Sequence, residues 1–383
     1  MIAVLFAQFL SALADNALLF AAIALIKTYN APSWQIPMLQ EFFVIAFILL
    51  APFVGPIADG HPKGRVMLIA NILKLTGAAA MFMGANPLLA YGFVGVGAAA
   101  YSPAKYGILS ELVSADKLVK ANGLMEGSTI VAILLGAVLG GKLAQVSVST
   151  ALLAVCITYL IAAITNTFIP RLPIAKPHTQ FRALALVKEF LDALKVLIFN
   201  KDARFSLIGS SIFWGTGSTL RLLLVAWVPV ALGTSDLSIA ANLSGAVAIG
   251  IAIGAALAAK FVQLKNINRV LPAGLIIGIF IMLFAYTTNL YLAIALLLFI
   301  GIAGGFYVVP LNALLQERGH QTVGAGNAVA VQNFFENFCM MTLVGLYIVL
   351  EKNNVPVITI TFVFGGFILL AIGLLASIRL RQK

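Results

Sequence analysis

Long apolar runs separated by short polar loops account for most of the chain. A helix needs roughly 20 apolar residues to cross the hydrocarbon core of a bilayer. Twelve stretches meet that length, at about 2–26, 37–58, 66–84, 88–109, 119–141, 149–169, 205–231, 240–262, 270–286, 290–315, 323–350 and 355–378. In lipid every backbone group must be satisfied within its own segment or barrel, so runs of this length predict helices. One long polar interval, about 170–204, divides six runs from six. It holds Pro170, Pro173 and Pro177, then residues 181–199 with Leu184, Val187, Leu191 and Leu194 at helical spacing. The spacing predicts an amphipathic helix lying on the membrane surface. The expected architecture is an all-α membrane protein of twelve transmembrane helices in two six-helix bundles, 1–169 and 205–383, joined by a linker at 170–204. The first run opens without a charged leader or a small-residue cleavage site, which predicts a retained helix.

Composition strengthens this picture. Hydrophobic residues make up 62% of the 383 positions and charged residues 10%, with a mean hydropathy of +1.06. Soluble domains carry about a quarter charged residues, so the covering solvent here is lipid. A net charge of +11 would suggest nucleic acid if it lined a groove, but the charges sit in the short loops between apolar runs. Placing loop 59–65 in the cytoplasm puts eighteen of the 24 Lys and Arg residues on that side. Lys27, Lys142 and Lys352 fall on the other side, and Lys74, Lys105 and Arg221 lie inside spans. The positive-inside rule then predicts cytoplasmic termini and a cytoplasmic linker. Cys156 and Cys339 lie within apolar runs and read as packing residues. His61, His178 and His320 occupy separate loops, so no metal or nucleophile constellation forms. No glycine-rich loop precedes a Lys-Ser or Lys-Thr pair. Neither an enzyme, nor an ATP-driven pump, nor any cofactor is expected.

The two halves share a weak pattern. Gly95-Val96-Gly97, Pro103 and Glu111 parallel Gly301-Ile302-Ala303, Pro310 and Glu317. Asn122 and Asn327 then open the next runs, with Gly140 and Gly345 at the same offset. Parallel duplication of six helices is the signature of the major facilitator fold. The loop from Gly55 to Arg65 resembles the loop of that family in which Gly, Asp and Arg cap helix ends and lock the inward face. Gly55, Asp59 and Arg65 are therefore candidate gate residues, although an ordinary basic loop with a helix-terminal Asp has the same composition. Ala258-Ala259-Lys260, at the matching place in the second half, lacks the pattern.

Ionisable groups inside spans are costly and concentrate at functional sites. They are Asp15, Glu41, Lys74, Lys105, Glu126, Arg221 and Glu336. Asp15 and Asn16 lie mid-span with no other charge within a turn. Lys105 follows Tyr101-Ser102-Pro103, where proline frees backbone carbonyls. Arg221 lies near the centre of its span. These residues, with Glu126 and Glu336 in opposite halves, are the substrate-binding candidates; interhelical pairs that fix packing are the alternative for each. Lys74 and Glu41 are expected to pair or to reach the interface. Small residues, as in Gly95 to Ala100 and Gly250 to Ala259, allow close helix approach.

Asp15-Asn16-Ala17-Leu18-Leu19-Phe20, Tyr101-Ser102-Pro103-Ala104-Lys105-Tyr106-Gly107, Lys120-Ala121-Asn122-Gly123-Leu124-Met125-Glu126 and Pro310-Leu311-Asn312-Ala313 closely resemble the bacterial lysophospholipid transporter family, over essentially the whole chain. The resemblance implies a flippase-like carrier in a Gram-negative inner membrane. Such a carrier brings lysophosphatidylethanolamine and related lysolipids inward, where a cytoplasmic-side acyltransferase restores the second chain. It also implies that Asp15, Asn16, Lys105 and Arg221 serve the site. The chemistry agrees: Arg and Lys suit a phosphate, Arg bidentately, and Asp suits an ammonium. In the empty carrier, Asp15, Lys105 and Arg221 are expected to pair with one another. Two rivals stand beside this reading. A proton-coupled exporter of amphipathic molecules would use Asp15 or Glu126 as proton sites. A silent membrane subunit would only dock the acyltransferase through its linker.

Overall fold

A computed structural model describes residues 1–112, 115–170, 183–234, 236–262, 264–323 and 325–381. Among them all regular structure is helical: α1 (Ile2–Thr28), α2 (Gln35–Asp59), α3 (Lys63–Phe82), α4 (Pro87–Leu112), α5 (Ala115–Val146), α6 (Val148–Thr167), α7 (Ala183–Phe199), α8 (Lys201–Leu232), α9 (Leu237–Phe261), α10 (Leu271–Ala285), α11 (Leu290–Thr322), α12 (Ala325–Lys352) and α13 (Val357–Arg381). A 3₁₀ stretch, Leu264–Val270, precedes α10. Each expected span coincides with one helix, and α7 takes the place of the linker helix. Counted over the described residues, eleven of these helices are long and apolar enough to cross a membrane. α4 is not among the eleven; Gly92, Gly95, Gly97, Ser102, Pro103 and Lys105 dilute its apolar character. Polar residues set several starts: Asn200 accepts from the Asp202 and Ala203 amides at 3.0 Å, and Asn289 does the same for α11.

The contacts divide the chain into two compact units. The first comprises Met1–Ala31 and Leu39–Leu194, and the second Pro32–Met38 and Lys195–Lys383. The division within the linker falls inside α7, whose Ala193 and Leu197 are buried while Leu184 and Leu191 are exposed.

In the first unit α1 is the central helix. Ala17 to Ala24 are buried on every face of it, with α5 and α6 packed alongside. α5 comes close because Gly136 and Gly140 face α1: a Cβ there would stand 2.5 Å from the Leu13 carbonyl and 2.6 Å from the Ala17 Cα. One apolar cluster joins Val4 of α1, Ala58 of α2, Met67 of α3, Ile108 of α4, Met125 of α5 and the nearby Ile169. It anchors the loop between α2 and α3.

The second unit has its tightest seam between α9 and α11. Gly250 and Gly254 lie opposite Gly301 and Gly305, and a Cβ at Gly254 would fall 2.0 Å from the Ile302 carbonyl. Only hydrogen fits, so van der Waals contact between backbones holds the two helices. Elsewhere large apolar side chains such as Leu370 and Val349 point outward, where lipid tails would cover them.

Candidate functional site

One face of α1 collects most of the buried polar chemistry of the first unit. Gln8, Ser11 and Asp15 follow one another at helical spacing and therefore share a stripe. Asp15 receives two donors. Lys74 of α3 forms an ion pair with its Oδ2 at 2.8 Å, and the Tyr159 hydroxyl of α6 donates to its Oδ1 at 2.6 Å. The Lys74 ammonium also donates to the Ser11 hydroxyl at 3.0 Å, and Ser11 donates to Asn71 Oδ1 at 2.7 Å. The Tyr101 ring lies 4.8 Å from the ammonium, within range of a cation–π attraction. Lys74 is 1% exposed, whereas the Asp15 side chain is 23% exposed. The cation thus approaches from the packed side, and the aspartate stays partly exposed although each of its oxygens already accepts one donor. Gly97 makes room for this lysine, since a Cβ there would meet its Cγ at 2.8 Å.

A second cluster lies two turns earlier on the stripe. Lys105 of α4, buried, donates to the Thr129 hydroxyl of α5 at 3.1 Å. Gln8 donates to the same hydroxyl, and Ser128 donates to the Gln8 carbonyl oxygen at 3.1 Å. Asn16 donates to its own helix, at the Ala12 carbonyl, 2.7 Å. The side chain of Glu126 lies outside the described residues.

In the second unit Arg221 sits half-buried on α8. Glu336 of α12 is buried and accepts from Gln332 Nε2 at 2.7 Å, and the same amide donates to Asn312 Oδ1 of α11 at 2.8 Å. Of the candidate gate residues, Gly55 is half-buried with open space around its missing Cβ. Arg65 is exposed in the first turn of α3, and the Asp59 side chain lies outside the described residues.

The partner of Asp15 differs from expectation. Its cation is Lys74, which was expected to pair with Glu41 or to reach the interface. Sequence distance hid the pair, because α3 supplies the lysine 59 residues later. The stripe itself was a usable signal: Gln8, Ser11 and Asp15 repeat at three and four residues within an apolar helix. Tyr159, Asn71 and Thr129 carried no such signal.

A further cluster, absent from the sequence reading, gathers at one end of the second unit. Asp202, in the first turn of α8 ahead of the apolar run at 205–231, is held by two guanidinium groups. Arg318 of α11 reaches its Oδ2 at 2.8 Å, and Arg379 of α13 its Oδ1 at 2.6 Å. Arg379 also donates to Asn268 at 3.3 Å and lies 4.9 Å from the Phe205 ring. Burial pushes the Asp202 carboxyl upward, but the hydrogen bonds and charges of Arg379 and Arg318 outweigh it and hold the group below its ordinary value.

A model of the Major Facilitator Superfamily matches residues 4–342. The chain is 55% identical over 372 residues to a protein of Enterobacter sp. (strain 638) named Lysophospholipid transporter LplT, covering 97% of this chain and 94% of the relative. A protein of the same name from Escherichia coli O1:K1 / APEC is 54% identical over 370 residues, covering 97% and 93%. Two solved structures share the fold at 14% identity. One is a bacterial homologue of the human lysosomal transporter Spinster, inward-facing and unoccupied, with a TM-score of 0.72 over 100% of this chain and 97% of that one. The other is a mutant of the nucleoside transporter NupG, with a TM-score of 0.76 over 99% and 98%.

Proposed function

The chain belongs to the Major Facilitator Superfamily, and on that premise we propose that it is a lysophospholipid transporter that carries its substrate inward across a bacterial inner membrane by facilitated flipping. The observation that carries the reading is the 54–55% identity, over 97% of the chain, to relatives named for that substrate. An acyltransferase on the cytoplasmic side is the consumer that an inward lysolipid flux requires. Termini and linker on the cytoplasmic side follow from the loop charges.

The residues support this substrate chemically. Each unit carries a cation within a span, Lys105 in the first and Arg221 in the second, and each suits a phosphate in a site of low dielectric. Asp15, already neutralised by Lys74, acts as one end of a neutral pair rather than as a lone anion. Its partly exposed carboxylate and Asn16 then orient the head group by hydrogen bonding. The single acyl chain needs apolar cover throughout, because about 0.8 kcal/mol per methylene opposes drawing it into water. Gly55, Asp59 and Arg65 are proposed to control opening of the cytoplasmic side.

Uptake of defined lysolipids into sealed vesicles containing the purified chain is the test. Saturable uptake that survives dissipation of the proton gradient is expected. Collapse of uptake with the gradient would favour a proton-coupled exporter, for which Glu336, buried beside a neutral amide, is the group to examine. No uptake at all would leave a docking subunit.

A further inference from the structure

The end of the second unit where Asp202 is clamped also holds a cavity of about 720 Å³, lined by Asp202, Asn268, Arg269, Glu317, Arg318 and Arg379 among others. A smaller one of about 400 Å³ adjoins it, sharing Asp202, Asn268, Arg318 and Arg379 and adding Lys201. Four cations therefore face two carboxylates. Moreover, Glu317 is engaged by the Gln321 amide at 2.7 Å, and the one carboxylate of Asp202 is divided between two guanidinium groups. The surplus positive charge is concentrated on arginines, whose planar donor forks suit a phosphate. Phe261, Leu264, Ile378 and Leu380, all exposed apolar side chains, lie next to this basic cluster in sequence, and Leu264 lines the cavity itself. Polar recognition beside exposed apolar surface is the arrangement that a lipid, rather than a free ion, would fill.

We propose that this basic cavity is a binding site for the phosphate of an anionic diacyl membrane lipid, separate from the polar stripe of α1. The phosphate competes with Asp202 for the edges of Arg318 and Arg379, while Arg269 and Lys201 face the rest of the head group. Basic pockets of this kind between membrane helices are a recurrent means of anionic lipid recognition. Occupancy of the site loosens the clamp that ties α8 to α11 and α13, so the surrounding lipid tunes the second unit through these residues.

The test is titration of the full chain in neutral detergent with dioctanoyl phosphatidylglycerol, dioctanoyl phosphatidylcholine and inorganic phosphate, read by native mass spectrometry. Phosphatidylglycerol is expected to bind in preference to the other two. Arg269→Gln should weaken it about tenfold, the loss of one charge-assisted contact, and Asp202→Asn should tighten it by removing the competitor. The opposite signs of these two changes identify the cavity and exclude a general loss of structure. Arg379→Gln also breaks the clamp, so the exposed Arg269 is the informative position. Equal binding of phosphatidylcholine, or unchanged affinity in Arg269→Gln, overturns the proposal. Inorganic phosphate binding as tightly as the lipid would overturn the lipid assignment and make the cavity a free-phosphate site.

Discussion

Lys74 on α3 and Asp15 on α1 form a 2.8 Å ion pair in which the lysine is almost wholly enclosed and the aspartate side chain is partly exposed. A buried pair adds little net stability over an apolar replacement, yet removing one partner strands the other charge at a cost of about 3–5 kcal/mol. Lys74→Met and Asp15→Asn should therefore each lower the melting temperature sharply. The double variant should melt closer to the unmodified chain than either single one. Thermal unfolding of all four proteins in one detergent checks this, and strictly additive losses would reject the pair as an energetic unit.

The same pairing changes what Asp15 can read. As half of a neutral unit, it has little charge left for an ethanolamine ammonium. Asp15→Asn should slow uptake of the ethanolamine and glycerol forms of a lysophospholipid alike. Lys105→Gln should raise the KM for both about tenfold, because it removes a charge-assisted contact to the phosphate. Parallel uptake of the two lysolipids into vesicles gives the answer. A loss confined to the ethanolamine form would show that Asp15 meets the ammonium in spite of Lys74.

The seam between α9 and α11 tolerates no added methyl group. Gly254→Ala would drive a Cβ into the Ile302 carbonyl at 2.0 Å, and overpacking of this kind costs about 1–3 kcal/mol. Gly366, with nothing within 4 Å of its missing Cβ, is the control. Gly366→Ala should melt within a degree or two of the unmodified chain while Gly254→Ala loses several degrees. Equal melting temperatures would mean that the seam is looser than described.

Asp202 gives a pH signature. Its carboxyl is held below the ordinary value of 3.8 in the folded state. A depressed carboxylate stabilises above its unfolded pKa, and the contribution disappears as pH falls through the folded one. The melting-temperature advantage of the unmodified chain over Asp202→Asn should be constant from about pH 5 upward and shrink below 3.8. An advantage that instead grew on acidification would contradict the clamp.

Topology is open to direct measurement. Reporter fusions after Lys201 and at Lys383 should both give a cytoplasmic signal, as the loop charges require. A periplasmic signal from both would invert the orientation and with it the direction assigned to transport.

Much of the fold was legible because lipid imposes one dominant rule, that a spanning segment be apolar and helical. The twelve runs and the amphipathic spacing from Leu184 to Leu194 follow from it and coincide with α1–α6, α8–α13 and α7, while residues 171–182 of the polar interval lie outside the described residues. α4, read as a span like the others, falls outside the eleven most clearly apolar helices, since Pro103, Lys105 and its glycines weaken the apolar character that the rule depends on. The sequence marked Asp15 and Lys105 in the first unit and Arg221 and Glu336 in the second by the same logic, as costly groups where none should be.

Sequence alone thus determined which segments are helical and which side chains are out of place in a membrane, because both depend on local composition against a uniform apolar solvent. It could not determine partners. That Asp15 belongs to Lys74 and Tyr159, that Lys105 donates to Thr129, and that Asp202 is shared by Arg318 and Arg379 depend on which helix faces meet. Those faces are brought together by glycine seams such as Gly136 and Gly140 against α1, and contacts between side chains 24 to 177 residues apart leave no periodic trace along the chain. Only the tertiary structure decided them, because the energy of a buried charge is fixed by the atom beside it in space and not by its neighbours in sequence.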